Sequence, residues 1–410
     1  MTLLLDTMRS WLTLVVALLS LSCSDGGGIG DEPAVSSSLV RWETTSLSAI
    51  ADVARLRIDD KAPTGIGWTA EILSDDWASF GNWNRGEMIL SGKVSASLSS
   101  RIIYIYYQDN TLDRERELRV RFTFEGGEPV ELSLNQPGKL GGGTQTEGDT
   151  SWSWPELPAK CDEQPTLAYA THFCPVWDAS LNQKVTKRNY TLCYDKTKRG
   201  ALWVAYPLHD DYTGSGRVET WEYDPKIEAS WQPVLYSGYN NGKVWNRGHQ
   251  IPNADRNADA VMQAQTFFFS NMTPQNGSLN GGPWADLEMR MRNSWMCSDT
   301  LYVVTGAYWA NTNTSTTDRE GNVCPCPTHY FKVLARTVNG KVRKKGDKLS
   351  DYKASELKTI GFWVENKNVS TSYKAWATSV ADIESKTGIK FFPPLPEECK
   401  KQDNPSSWGL

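Results

Sequence analysis

The chain has 410 residues, 39% hydrophobic and 22% charged, with a formal net charge of −5. That composition excludes a disordered or fibrous protein and leaves room for two or three globular domains. The mild acidity excludes a protein that holds nucleic acid by its overall charge, although an enzyme needs only a local positive site.

The first apolar run, Trp11 to Leu21, is too short to cross a membrane as a helix and reads as an export signal. Ser20-Leu21-Ser22-Cys23 follows at once and resembles a bacterial lipoprotein cleavage site. The resemblance implies a signal over 1–23, a lipidated Cys23 and anchorage at the bacterial outer membrane or cell surface. Residues 24–35 are rich in small residues and suit a tether.

Residues 36–136 read as an all-β sandwich. Leu118, Val120, Phe122 and Phe124 alternate with polar residues, as do Val130, Leu132 and Leu134, so each strand buries one face. Glu125-Gly126-Gly127-Glu128 between them is a hairpin turn. Ile102 to Tyr107 is a further strand, apolar on both faces. Trp68, the Trp77-Ala78-Ser79-Phe80 run and the closing Leu134-Asn135-Gln136 resemble BACON-type domains. That resemblance implies a glycan as a partner, with Trp68, Trp77 and Trp83 stacking on sugars. The same tryptophans can instead fill the core, which makes the domain a spacer. Residues 137–152 form a Gly-rich linker.

The second domain, residues 153–400, mixes strands and helices. Ala201 to Pro207, Leu301 to Gly306 and Tyr330 to Ala335 are apolar runs of strand length. Residues 254–265 are mostly helix formers, and Phe267 to Ser270 reads as a strand. Seven of the eight cysteines remain after Cys23, all in this half. Export makes disulfides the default, an odd count leaves one thiol over, and Cys193 in an apolar strand is the candidate free thiol.

Two runs carry the chemistry. The first is Asn246-Arg247-Gly248-His249. The second is Ser270-Asn271-Met272-Thr273-Pro274-Gln275, followed by Leu279-Asn280 and Trp284-Ala285-Asp286-Leu287-Glu288. In order and spacing they resemble the non-specific DNA/RNA endonucleases of the ββα-metal fold, among them bacterial extracellular nucleases and mitochondrial endonuclease G. The expected fold is therefore α+β, a ββα-metal domain with mixed or antiparallel sheets behind an all-β sandwich. The expected activity is Mg2+-dependent hydrolysis of DNA and RNA phosphodiesters, with Mn2+ able to substitute and 5′-phosphate ends as products.

The residue types suit those roles. His249 is the candidate general base, since imidazole near its ordinary pKa is half neutral at pH 7. Gly248 before it permits backbone shapes that a side chain would forbid. Asn280 offers a hard neutral oxygen to Mg2+, which keeps several waters, and Glu288 would hold one of those waters. If one helix starts near Asn280, Asn280 and Glu288 stand roughly eighty degrees apart around its axis. Arg217, in the segment Arg217 to Pro225, resembles the family's arginine for transition-state charge. Arg247 either contacts phosphate or braces its loop, and Asn271 orients the site. Asn246 stands where the family usually has aspartate, which bears on rate more than on reaction. His172, His209 and His329 read as structural. The competing reading is a surface glycan-binding lipoprotein with a degenerate nuclease-like domain. A third is a phosphodiesterase for small nucleotides.

Overall fold

The computed structural model describes residues 39–410 except 45–46, 48–51, 81–86, 97–100, 109, 113, 139–151, 153, 161–163, 179–181, 218, 298, 311–313 and 342–348. The expected signal over 1–23 with Cys23, the expected tether over 24–35, Trp83, Cys161 and residues 139–151 of the expected linker lie outside the described residues.

The first domain contains β1 (Val40–Trp42), β2 (Asp52–Ile58), β3 (Gly67–Ile72), β4 (Ala78–Ser79), β5 (Ile89–Lys93), β6 (Ile102–Tyr107), β7 (Arg116–Phe124) and β8 (Val130–Gln136). They form two antiparallel four-stranded sheets, ordered β1-β2-β6-β4 and β5-β3-β7-β8. Alternation explains the packing: Leu118, Val120, Phe122 and Phe124 enter a shared core with Ala54, Leu56, Ile103 and Ile105. Arg119 and Arg121 point outward and pair with Glu131. Gly126 takes the positive φ of the expected hairpin turn, at 75°. Trp77 is buried in the core, and Trp68 packs against it, stacked on Phe122.

The second domain is built on β9 (Leu167–Asp178), β10 (Gln183–Asp195), β11 (Gly200–Leu208), β12 (Trp245–His249), β13 (Met272–Asn276), β14 (Leu301–Tyr308), β15 (Ser315–Thr317), β16 (Val323–Pro325), β17 (His329–Thr337), β18 (Leu357–Glu365) and β19 (Ala377–Thr378). Its helices are α1 (Ala260–Gln265), α2 (Gly277–Asn280), α3 (Pro283–Arg290), α4 (Val380–Thr387) and α5 (Glu397–Lys400). Seven strands make one antiparallel sheet, ordered β19-β18-β17-β14-β11-β10-β9. Both faces are covered. Val204, Tyr206, Tyr330 and Leu334 meet α3 through Trp284, Leu287 and Met291. Trp203, Ala205, Phe331 and Val333 meet α4 through Val380 and Ile383. The paired strands β12 and β13 with α2 and α3 lie on the first face.

Several local expectations need correction. The helix expected over 254–265 is confined to α1, preceded by a 3-10 turn at Asn253–Asp255. Phe267 to Ser270 is not a strand: Phe269–Asn271 is a 3-10 turn, and β13 starts at Met272. Aromatic burial shapes this run, because Phe267, Phe268 and Phe269 are all within 1% of full burial. Cys174, Cys297, Cys324, Cys326 and Cys399 form no disulfide, so the disulfide expectation fails for these described residues. Burial pushes the Cys174, Cys324 and Cys326 thiols up to about 12. Among the described residues no helix is long and apolar enough to cross a membrane.

Candidate active site

Strands β12 and β13 run antiparallel with Gly248 opposite Thr273 and His249 opposite Met272. The two sequence motifs are thus joined by strand pairing. A Cβ at Gly248 would stand 2.5 Å from the Gln275 Cβ, so close approach forces glycine here. Gly248 is not among the positive-φ residues, so the expected reason, backbone freedom, is replaced by a steric one.

A cavity of about 630 Å3 opens beside this pair and brings together Arg217, Asn246, Arg247, His249, Asn280 and Glu288. Asn271 is not on its lining. It is fully buried, where its side chain accepts from the Ile251 N–H at 3.0 Å and donates to the Ile251 and Thr266 carbonyls at 3.0 and 2.8 Å. It therefore pins the chain two residues beyond His249.

The His249 Nε2 is buried and has no hydrogen-bond partner among the described residues. The ring also hydrogen-bonds the Arg247 backbone. Trp221 and Phe267 present edge-on walls at 5.6 and 5.3 Å. Burial first, then the Arg217 charge, pushes the imidazole down to about 3. The expectation of a histidine near its ordinary pKa is corrected: at neutral pH it is fully unprotonated.

Arg217 is half exposed and pairs with Glu219 at 3.0 Å. Glu219 also accepts from the Trp221 indole at 2.8 Å, which places that ring. Arg247 lies over Trp221 at 3.6 Å and donates to the Leu235 and Tyr236 carbonyls at 2.9 and 3.1 Å. It braces its loop through backbone oxygens. Behind this segment Asp224 accepts from Ser270 and stands 3.0 Å from the His172 Nε2. Against its own burial, His172 and Ser270 hold the Asp224 carboxyl below the usual range. His172 is buried there, away from the cavity, and neither His209 nor His329 lines it.

Asn280 and Glu288 both line the cavity, but not from one helix. Asn280 ends α2, and a Gly281-Gly282 turn separates it from α3. A Cβ at Gly282 would meet the Ser278 carbonyl at 2.6 Å, which explains the glycine. The Glu288 carboxylate, 14% exposed, stands 3.4 Å from the Nζ of fully buried Lys332. Burial raises the Glu288 pKa against the pull of Lys332, and burial lowers that of Lys332 against the pull of Glu288. Asp255 completes the cluster, binding Arg292 at 2.8 Å and the Tyr206 hydroxyl at 2.9 Å.

Sequence reasoning assigned no role to Arg292, Lys332, Asp255 or Arg319. Two signals were available. Arg292 lies one helical turn beyond Glu288, on the π-helical turn Met291–Trp295 that extends α3. Lys332 is the one charge in the apolar run Tyr330 to Ala335, on the face it shares with Tyr330 and Leu334. Asp255 and Arg319 give no comparable sign.

The residues fit a hard divalent cation. The Asn280 carboxamide lines the cavity without a side-chain hydrogen bond among the described residues, and Glu288 offers carboxylate oxygen nearby. No cluster of three His, Cys, Asp or Glu exists among the described residues, so a cation here would keep most of its waters.

Known proteins resemble this chain over its second half. A nuclease of Serratia marcescens is 27% identical over 238 residues, covering 55% of this chain and 81% of its own length. A nuclease of Nostoc sp. is 28% identical over 212 residues, covering 51% of this chain and 73% of its own. A chain of a solved EndoG/EndoGI complex covers 51% of this chain and 85% of itself, at 20% identity and a TM-score of 0.39. The family description "DNA/RNA non-specific endonuclease" matches residues 170–398, more than half of the chain and inclusive of both motifs. The chain belongs to the DNA/RNA non-specific endonuclease family.

Proposed function

We propose that this protein is an exported endonuclease that hydrolyses DNA and RNA phosphodiesters with little sequence preference, depends on Mg2+ and leaves 5′-phosphate ends. The observation that carries the reading is the buried, unpartnered His249 Nε2 on a cavity shared with Asn280 and several arginines. Neutral imidazole accepts a proton from the attacking water. The water oxygen bonds to phosphorus, the P–O3′ bond breaks, and the departing oxygen leaves as a 3′-hydroxyl after protonation. Arg217 and Arg247 face the cavity and suit the non-bridging oxygens. Mg2+, or Mn2+ in its place, held at Asn280 with Glu288 on a coordinated water, would supply Lewis-acid stabilisation of the leaving oxygen. The chain shows no helix-turn-helix, zinc-finger or RNA-recognition motif, which fits recognition through the backbone. The apolar run before Cys23 supports export and lipid anchorage at the cell surface.

The test uses the form starting after Cys23, supercoiled plasmid and RNA, with Mg2+ or chelator. Wild type is expected to cut both only with metal, and His249→Ala to lose about 10²–10⁴-fold in rate. No cutting with any divalent ion would sink the reading and bring forward the glycan-binding alternative.

A further inference from the structure

Four arginines line the cavity: Arg217, Arg247, Arg292 and Arg319. Two of them face carboxylates, Arg217 at Glu219 and Arg292 at Asp255. Arg247 and Arg319 have no salt-bridge partner among the described residues. Both are held instead by neutral oxygens of one turn, residues 235–240. Arg247 takes the Leu235 and Tyr236 carbonyls. Arg319 takes the Ser237 carbonyl at 3.4 Å and the Asn240 Oδ1 at 3.1 Å.

We infer that Arg319, seated beside Arg247 on this turn, forms a second phosphate position, which holds a backbone phosphate flanking the one being cut. The inference rests on the nuclease reading above and deepens it. Arg319 lies in the connection between β15 and β16, and that connection is fixed in place. The wholly buried Asp318 accepts from the backbone N–H of Val234, Glu320 and Asn322 at 2.7, 3.0 and 2.9 Å. Its carboxylate also accepts from the Asn322 side chain at 2.9 Å. Asn240 stitches the turn to the hairpin. Its N–H donates to the Thr317 carbonyl at 2.8 Å, and its side chain donates to the Thr317 hydroxyl and the Asp318 carbonyl at 2.7 and 2.8 Å.

Arg319 is thus a preorganised cation. Its two hydrogen bonds leave other guanidinium donors available, and neutral oxygens do not cancel its charge. A planar fork with spare donors suits phosphate oxygens and carries no base information. An additional phosphate contact favours long chains over small phosphodiesters, which separates an endonuclease from a nucleotide phosphodiesterase.

The experiment compares wild type, Arg319→Ala and Arg319→Lys on linear duplex DNA and on bis(4-nitrophenyl) phosphate, which has no flanking phosphate. The ratio of kcat/KM for DNA to that for the small ester is expected to fall about tenfold in Arg319→Ala, mostly through KM. Arg319→Lys is expected to recover part of it. Binding of a fluorescent duplex in chelator is measured alongside, where no chemistry is needed. The slope of log K against log salt should be shallower by about one in Arg319→Ala. An unchanged ratio together with an unchanged salt slope would overturn the proposal. Loss of wild-type cleavage with binding and its slope intact would overturn the nuclease reading alone. A wild type that does not bind duplex overturns both.

Discussion

Burial and the neighbouring Arg217 push the His249 imidazole down to about 3, so the proposed base is unprotonated throughout the neutral range. An incoming phosphodiester brings negative charge, which favours the protonated ring and raises its pKa again. The acid limb of kcat/KM reports free enzyme and that of kcat reports the complex. We therefore expect the acid limb of kcat to lie at higher pH than that of kcat/KM, with the latter below 6.5. Coincident limbs at 6.5 would contradict the burial argument. The same shift bears on stability. The folded pKa lies below the unfolded value, so between about pH 3 and 6.5 the unfolded chain binds more protons. Stability attributable to His249 is complete above that window and is lost as pH falls through it. Thermal melting should drop less between pH 7 and 4 in His249→Asn than in wild type. The residues of this site were legible because fixed types sit in fixed order along two runs. The shifted pKa was not, because it arises from walls such as Trp221 and Phe267, more than fifteen residues away in sequence.

Helix α3 works as a carrier of charge over a buried sheet. Its apolar residues Trp284, Leu287 and Met291 meet the sheet at helical spacing, as periodicity in the sequence indicates. Glu288 then falls over Lys332 of β17. Removing one member of such a pair leaves a buried charge without its counterpart, whereas removing both is often close to neutral. Glu288→Gln should lower unfolding free energy by about 3 kcal/mol, read by urea denaturation at pH 7. Adding Lys332→Met should restore most of that loss without restoring activity. A double variant as unstable as the single one would show that the pair is not the reason. The strands β11, β14 and β17 were readable as apolar runs of the right length. The break between α2 and α3 was not, since only three-dimensional crowding of Gly282 against the Ser278 carbonyl reveals it. The Phe267 to Phe269 run misled for a related reason: apolar residues of strand length can equally be a buried turn.

The two domains touch behind the segment that lines the candidate site. In the sandwich, Ala54, Leu56, Ile103 and Ile105 face the core, so Arg55, Tyr104 and Tyr106 lie on the outward face of the β1-β2-β6-β4 sheet. Tyr106 is nonetheless only 8% exposed. Arg55 donates from Nε to the Glu222 carboxylate at 3.2 Å and pairs with it again through Nη2. Tyr104 shares a hydrogen bond with Tyr236, and burial followed by the Glu222 charge pushes its hydroxyl up to about 12. The Glu222 backbone carbonyl also accepts from the Phe269 N–H at 2.9 Å, and Glu222 directly follows Trp221, which lines the cavity. The sandwich thus backs the segment that carries Glu219 and Trp221. A Gly-rich connection is compatible with docking, because tethering makes the contact intramolecular at high effective concentration. The Glu222 side chain is 4% exposed, so its bonds to Arg55 count for more than a surface pair. Arg55→Ala should cost about 1.5–3 kcal/mol. A double-mutant cycle with Glu222→Gln should return a coupling of about 1 kcal/mol or more, measured by denaturation of the two-domain chain. If the docking holds the domains as one unit, calorimetry of wild type gives a single transition and Arg55→Ala separates it into two. A coupling near zero, with two transitions already present in wild type, would mean that the sandwich and the nuclease domain behave independently.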